Sequence, residues 1–182
     1  MNPYFLLLFF LFSCRIVQAQ DIEPKTQIEQ EGFGIKGGMI FSNLSPNAGN
    51  PLRISYQAGI LSQLKLTGKN FGQIELLFSK EGQGPTKTGV VLYNILIPVL
   101  YKRNINHWLA LEIGPQLNAN INRVFDSWRV DNTFWLNADI GLSAYLTNRN
   151  YINFRYSRAL QPVFTDPNYS TRGFAVTITN IF

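Results

Sequence analysis

The side chains in this sequence that could do chemistry are mainly charged residues scattered singly through apolar surroundings. Buried charges of mixed sign must form ion pairs and hydrogen bonds, and this set has both signs. The formal net charge is +5, but Lys and Arg do not cluster into the basic patch that nucleic-acid binding requires. We therefore predict an internal polar network and no nucleic-acid partner. The predicted network consists of Lys36, Lys65, Glu75, Glu112, Asp139 and Arg155.

Residues that usually carry catalysis or bind metal ions are scarce. His107 is the only histidine and Cys14 the only cysteine. A hydrolase or acyltransferase needs a histidine base with partners, and a zinc site needs several His or Cys ligands. Gly32–Gly37 matches G-x-G-x-x-G, but no strand precedes it and no helix follows. The sequence predicts no catalytic residue, cofactor or metal site, and an enzyme remains the less favoured alternative.

The elements that must position the charges are strands, because apolar and polar residues alternate with a period of two. In Tyr56–Leu66, for example, Tyr, Ala, Ile and Leu dominate one face, and Gln, Gly and Lys appear on the other. We predict eight such strands, near 32–41, 54–66, 71–81, 90–102, 108–119, 133–146, 151–159 and 172–182.

The connections between these strands alternate in length. Three are short turns rich in Gly and Asn, at 67–70, 103–107 and 147–150. The others are longer, at 42–53, 82–89, 120–132 and 160–171. Short turns on one side and long loops on the other are typical of outer-membrane barrels. The pattern predicts an all-β fold, an eight-stranded antiparallel up-and-down transmembrane β-barrel.

Aromatic residues indicate which face of the strands meets lipid. Three pairs lie eight residues apart on one face, or about 27 Å at roughly 3.4 Å per residue. A tilt of about 40° reduces this to roughly 21 Å, near the height of the apolar band of a membrane barrel. A soluble lipocalin-like binding barrel has the opposite polarity and remains an alternative. The predicted aromatic girdle consists of Phe33, Phe41, Tyr93, Tyr101, Phe174 and Phe182.

Turn positions predict two ion pairs within the barrel interior. If the turn at 147–150 sets the register, Asp139 lies diagonally near Arg155. Lys65 and Glu75 are placed similarly across the turn at 67–70. We expect both pairs to stabilise the barrel and to fill its narrow interior, because eight strands leave room only for side chains.

The first residues differ from the rest of the chain. Tyr4–Phe12 is an unbroken apolar run, too short for a bilayer-spanning helix but typical of a signal peptide. Small residues before Gln20 predict a signal peptide at 1–19, a periplasmic leader at 20–31 and a barrel domain at 32–182. A membrane anchor and lipidation of Cys14 are the alternatives. Export and a barrel together predict the outer membrane of a Gram-negative bacterium.

Five segments of the predicted strands and their ends carry a family resemblance: Gly34–Met39, Phe41–Leu44, Ile95–Lys102, Leu111–Pro115 and Phe154–Ser157. In order and spacing they resemble the PorT-like (OmpX-like) outer-membrane β-barrel protein family. The likeness covers nearly all of the mature chain. The resemblance implies an outer-membrane location and an eight-stranded barrel, and implies little about activity. The founding member is associated with protein secretion.

The predicted function is that of a non-enzymatic barrel whose extracellular loops bind a partner or contact lipopolysaccharide. An accessory subunit of a protein secretion or surface-assembly machine is the alternative. Other expected partners are outer-membrane lipid and the assembly machinery, which would recognise the final strand through Phe174, Val176, Ile178 and Phe182. The candidate loop contacts are Arg123, Phe125, Trp128, Arg129 and Tyr169.

Overall fold

The computed structural model shows a closed barrel of eight antiparallel strands. It describes residues 31–45, 52–84, 90–121, 124–125, 128–129, 133–163 and 170–182. The predicted signal peptide and all of the leader except its last residue lie outside this set. The described residues include no helix long and apolar enough to cross a membrane.

Ten strands are present, and eight of them form the barrel. The barrel strands are β1 (Gly32–Ser45), β2 (Arg53–Thr67), β3 (Asn70–Gln83), β4 (Val90–Asn104), β5 (Leu109–Asn120), β8 (Phe134–Tyr145), β9 (Asn150–Ala159) and β10 (Ser170–Ile181). The other two, β6 (Val124–Phe125) and β7 (Trp128–Arg129), form a hairpin within the β5–β8 connection.

Each barrel strand pairs with the next barrel strand along the chain, and β10 pairs with β1 to close the sheet. The closing register runs from Gly34 opposite Ile181 to Ser45 opposite Ser170. The predicted up-and-down eight-stranded barrel is therefore confirmed, with strand boundaries shifted by a few residues. The β6–β7 hairpin was predicted as loop, because two-residue strands are too short to show alternation.

The two ends of the barrel differ in their connections. At one end, β2–β3, β4–β5 and β8–β9 are joined by turns of two to four residues. In the first of these turns Gly68 has a φ of 57°, in the left-handed region that glycine adopts without steric cost. The four longer connections lie at the other end. We call these the short-turn end and the loop end.

The barrel has an apolar outside and a polar inside. Along β2, Ile60 is 57% exposed on the outer face, whereas Gln63 on the inner face is completely buried. β8 alternates in the same way, with Ile140 exposed and Asp139 buried. This sense agrees with the predicted assignment of the charged face to the interior. A lipocalin-like interior, which would be apolar, is not what these strands form.

Glycines on the inner face let neighbouring strands curve tightly. A Cβ atom built on Gly59 would lie 2.0 Å from the carbonyl oxygen of Leu76 on β3. The corresponding distance is 2.1 Å at Gly38 and at Gly114. Those contacts are with backbone, which cannot move aside as a flexible side chain can. Glycine is therefore required at these positions for a barrel this narrow to close.

Replacing Gly59 with alanine is expected to impair barrel closure. The added methyl group would overlap the β3 backbone, and overpacking of this kind costs about 1–3 kcal/mol or more. Gly72→Ala is the matched control, because its Cβ would meet only Leu66 side-chain atoms at 3.7 Å or beyond. Thermal unfolding of both variants in detergent would check this. Equal melting temperatures for Gly59→Ala and Gly72→Ala would contradict it.

Candidate functional site

The centre of the barrel is occupied by a cluster of ion pairs that joins strands across the lumen. Arg155 on β9 donates two hydrogen bonds to Glu75 on β3, with N–O distances of 2.8 and 2.7 Å. Its Nη2 also donates to Glu112 on β5 at 3.0 Å. The two-point contact with Glu75 is the strongest geometry available to an arginine and a carboxylate. Arg155 therefore links two carboxylates from strands that are not its neighbours.

Three further charged residues complete this central cluster. Lys36 Nζ lies 2.9 Å from Glu75 Oε1, and Lys102 Nζ lies 3.3 Å from Glu112 Oε1. Asp139 Oδ2 lies 3.9 Å from Arg155 Nη1. Three cations thus face three carboxylates, and all six residues are buried. Equal numbers of opposite charges allow the cluster to be neutral as a whole, as a buried site requires.

Neutral polar side chains satisfy remaining carboxylate lone pairs in the cluster. Asn153 donates to Glu112 Oε2 at 2.8 Å, and Ser143 donates to its other oxygen. Gln73 donates to Glu75, while Ser157 donates to Asp139 at 2.6 Å. Such hydrogen bonds reduce the cost of removing the carboxylates from water. The arrangement holds charge in fixed positions.

Five of the six predicted network residues lie in this cluster, and the prediction for the sixth was wrong. The Lys65 side chain is exposed, and Glu75 pairs with Lys36 and Arg155 instead. The pairing of β1 with β2 ends at Gln63, so Lys65 lies beyond the edge of the closed barrel. The other predicted pair, Asp139 with Arg155, forms across β8 and β9.

Sequence reasoning missed two buried cations. Lys102 was treated as the end of its strand, but it shares the inner face of β4 with Leu100 and Asn94. The outward assignment of Tyr101 would have placed its neighbour Lys102 inside. Arg53 was treated as a loop cation, yet it begins β2 and is only 3% exposed.

The interior between the cluster and the short-turn end is filled by aromatic and aliphatic side chains. Leu61, Tyr151 and Ile181 pack together, and Tyr145 packs against them. Lys102 Nζ lies 3.6 Å from the centroid of the Tyr151 ring, a cation–π contact. These contacts close the lumen on the short-turn side.

Toward the loop end the interior holds both polar and apolar side chains around a small cavity. Its volume is about 20 Å³, which is enough for a single water molecule and too little for a solute. A small solute does not fit in this cavity. Residues lining the cavity include Gln57, Glu81, Gln116, Asn137, Ser157 and Thr171.

The structure gives no catalytic role to the histidine. His107 is exposed in the turn between β4 and β5, outside the lumen. Within the described ranges, no three His, Cys, Asp or Glu side chains are grouped so that they could hold a metal ion.

The six predicted girdle aromatics all lie on the outer face, three near each end. Phe41 and Phe174 are directly opposite each other near the loop end, where Tyr93 also lies. At the short-turn end, the Phe182 amide donates to the Phe33 carbonyl at 2.9 Å, and Tyr101 lies on β4. The outer surface between the two sets is mainly aliphatic, although Phe78 and Phe154 also lie there.

Three of the five candidate loop contacts lie in the β6–β7 hairpin at the loop end. In the β6–β7 hairpin Phe125 pairs with Trp128 and Val124 pairs with Arg129 through the backbone. The other two candidates, Arg123 and Tyr169, lie outside the described residues. The hairpin therefore places three candidate residues together in one connection.

Comparison with solved structures identifies similar small outer-membrane barrels. Neisserial surface protein A (NspA) has a TM-score of 0.57 and 15% identity, over 83% of this chain and 97% of that chain. The attachment invasion locus protein of Yersinia pestis, Ail, has a TM-score of 0.53 and 12% identity, over 84% of this chain and 99% of that chain. The structure of Ail in complex with the heparin analogue sucrose octasulfate has a TM-score of 0.50 and 11% identity, again over 84% of this chain and 99% of that chain.

Sequence comparison adds nothing to this structural likeness. No family model matches the chain, and no curated protein matches its sequence. At identities of 11–15% the likeness establishes the fold alone. The PorT-like resemblance accordingly stays a prediction, whereas the eight-stranded outer-membrane barrel fold is supported by both NspA and Ail.

Removing the central arginine is expected to destabilise the barrel strongly. Arg155→Leu would leave Glu75 and Glu112 buried without their shared partner, and breaking a buried pair costs about 3–5 kcal/mol. Lys65→Leu is the control, because an exposed charge with no ion pair among the described residues changes stability by only about 0.5 kcal/mol. Thermal unfolding in detergent would measure both. An unchanged melting temperature for Arg155→Leu would refute the role assigned to the cluster.

Proposed function

We propose that the chain is an integral outer-membrane β-barrel protein of a Gram-negative bacterium and has no enzymatic role. The observation that carries the proposal is the polarity of the barrel, with ion pairs inside and apolar side chains outside. A soluble protein rarely exposes a continuous apolar surface of this extent to water. In a bilayer the same surface meets hydrocarbon, and every barrel strand hydrogen-bonds to neighbours on both sides.

The dimensions of the barrel support the same proposal. Its shortest strand, β9, has 10 residues and its longest have 15. About 9–11 residues of tilted strand are enough to cross a bilayer. The outward aromatics near both ends would lie at the two membrane interfaces, where aromatic side chains are favoured.

The lumen is too narrow to bind a solute, so the candidate binding region is the loop end. The cavity holds a single water molecule and is too small for a solute, which favours a scaffold over a channel. The long connections all lie at one end, and the β6–β7 hairpin there carries two aromatic residues and one arginine. We infer that these loops face outside the cell and bind a partner or contact lipopolysaccharide. NspA is itself called a surface protein and Ail an attachment invasion locus protein.

Export and assembly follow from the same proposal. The signal peptide at 1–19 would be removed, and with it Cys14. The outward residues Phe174, Val176 and Ile178 of β10 would be available to the assembly machinery before the barrel closes.

Fractionation and gel mobility test the proposed location and closure. Expressed in a Gram-negative host, the protein should appear in the outer-membrane fraction and migrate faster on gels unboiled than boiled. The faster band reflects a closed, detergent-resistant barrel. Recovery in the soluble periplasmic fraction with unchanged mobility would overturn the proposal.

Cysteine labelling tests which end faces outward. Ser127→Cys places a thiol in the β6–β7 hairpin, and Asn148→Cys places one in the exposed turn between β8 and β9. In intact cells a membrane-impermeant maleimide should label position 127 and not position 148. Disruption of the outer membrane should make position 148 reactive. Labelling of position 148 alone in intact cells would reverse the proposed orientation.

A further inference from the structure

Charge on the outer face of the barrel has only one sign. Every carboxylate that lies within a described barrel strand points into the lumen: Glu75, Glu81, Glu112 and Asp139. The charged side chains on the outer face near the loop end are Lys80, Arg158 and Arg172. The outer rim at that end is therefore cationic, with no acidic strand residue to balance it.

Two of these cations are forced together by the sheet. Arg158 on β9 and Arg172 on β10 are directly opposite partners in the register. Opposite residues on one face have Cβ atoms about 4.5–5.5 Å apart, and like charges in such a pair repel. Among the described residues, neither guanidinium lies within 4.0 Å of a carboxylate. Lys80 differs, because its Nζ lies 5.5 Å from the centroid of the Tyr93 ring.

The residues around the arginine pair define its depth and surroundings. Tyr156 and Phe174 lie opposite each other on the same outer face. Each is two residues nearer the barrel centre than the arginine of its own strand. That step is about 7 Å along the strand, or roughly 5 Å in depth after tilting. On the flanks, Ala138 lies opposite Arg158 and Asn43 lies opposite Arg172. Beside these two smaller side chains, Arg158 is exposed and Arg172 is half-buried.

We propose that Arg158 and Arg172 together bind a phosphate group of an outer-leaflet lipid, namely a lipid A phosphate of lipopolysaccharide. The inference rests on the proposed outer-membrane location. If the aromatic row marks the interface, the arginines lie at the level of the lipid head groups. A guanidinium matches phosphate oxygens with parallel N–H donors, and one anion between two arginines converts their repulsion into attraction.

Thermal unfolding of the purified full-length protein in detergent tests the site. Bisphosphoryl lipid A should raise the wild-type melting temperature by roughly 5–10 °C at a concentration a hundredfold above Kd. Lipid A with both phosphates removed, and inorganic phosphate alone, should give little or no rise. The double variant Arg158→Gln, Arg172→Gln should lose the response. Arg103→Gln, an outward arginine at the short-turn end, should retain it.

Three results would overturn this site. They are an unchanged response in the double variant, an equal response to dephosphorylated lipid A, and an equal response to inorganic phosphate. If the double variant does not fold, Arg158→Gln alone replaces it, and a full wild-type response there would count against the site. A heat-modifiable outer-membrane barrel without the phosphate response would contradict this inference alone. Absence from the outer membrane would instead contradict the proposed function.

Discussion

The contact of Arg155 with Glu75 and Glu112 is the interaction on which the rest of the barrel depends. Eight strands enclose an interior that side chains must fill, and in this chain many of those side chains are charged. Unpaired, each would carry a large desolvation cost, so they must meet one another. The six residues of the cluster come from β1, β3, β4, β5, β8 and β9. Contacts across the lumen therefore join strands that the sheet hydrogen bonds do not join.

The same cluster constrains the register of the sheet. A slip of one residue in any strand would transfer its inward side chains to the outer face. For β3 that change would place Glu75 on the apolar outer face and turn Ile74 inward. A slip of that kind removes a partner from Arg155 and exposes a charge at the same time. The ion pairs inside the barrel thus strongly favour one register of the strands. The apolar outer face alone would tolerate several registers.

Much of this fold could be predicted from the sequence because alternation is a local property. Within β8, the residues from Leu136 to Ile140 indicate their own face through their polarity, whereas Trp135 is apolar and yet buried inside the barrel. The connections could be predicted equally well, since Gly68 and Asn70 indicate a tight turn. The face that points outward was predicted from the spacing of aromatic residues, which can likewise be seen within a single strand.

The interior pairing could not be predicted in the same way, because it joins residues that are distant in the chain. Arg155 and Glu75 are 80 residues apart, and no turn relates them. Turn positions relate only residues on neighbouring strands, and they predicted Lys65 as the partner of Glu75. That choice failed because neighbouring strands end at different heights, which a single sequence does not show. The Arg158–Arg172 pair likewise became visible only from the register of β9 and β10.

The central claim, that the apolar face of the barrel meets lipid and the charged face fills the lumen, can be tested along one strand. Spin labels would be attached at successive positions from Leu136 to Ser143 of β8, with the protein in lipid vesicles. Accessibility to oxygen, which concentrates in hydrocarbon, should peak at 136, 138, 140 and 142 and fall at 137 and 143. A water-soluble nickel complex should not reach the four oxygen-accessible positions. If the nickel complex reached those positions more readily than oxygen, the outer face would lie in water and the account would be wrong.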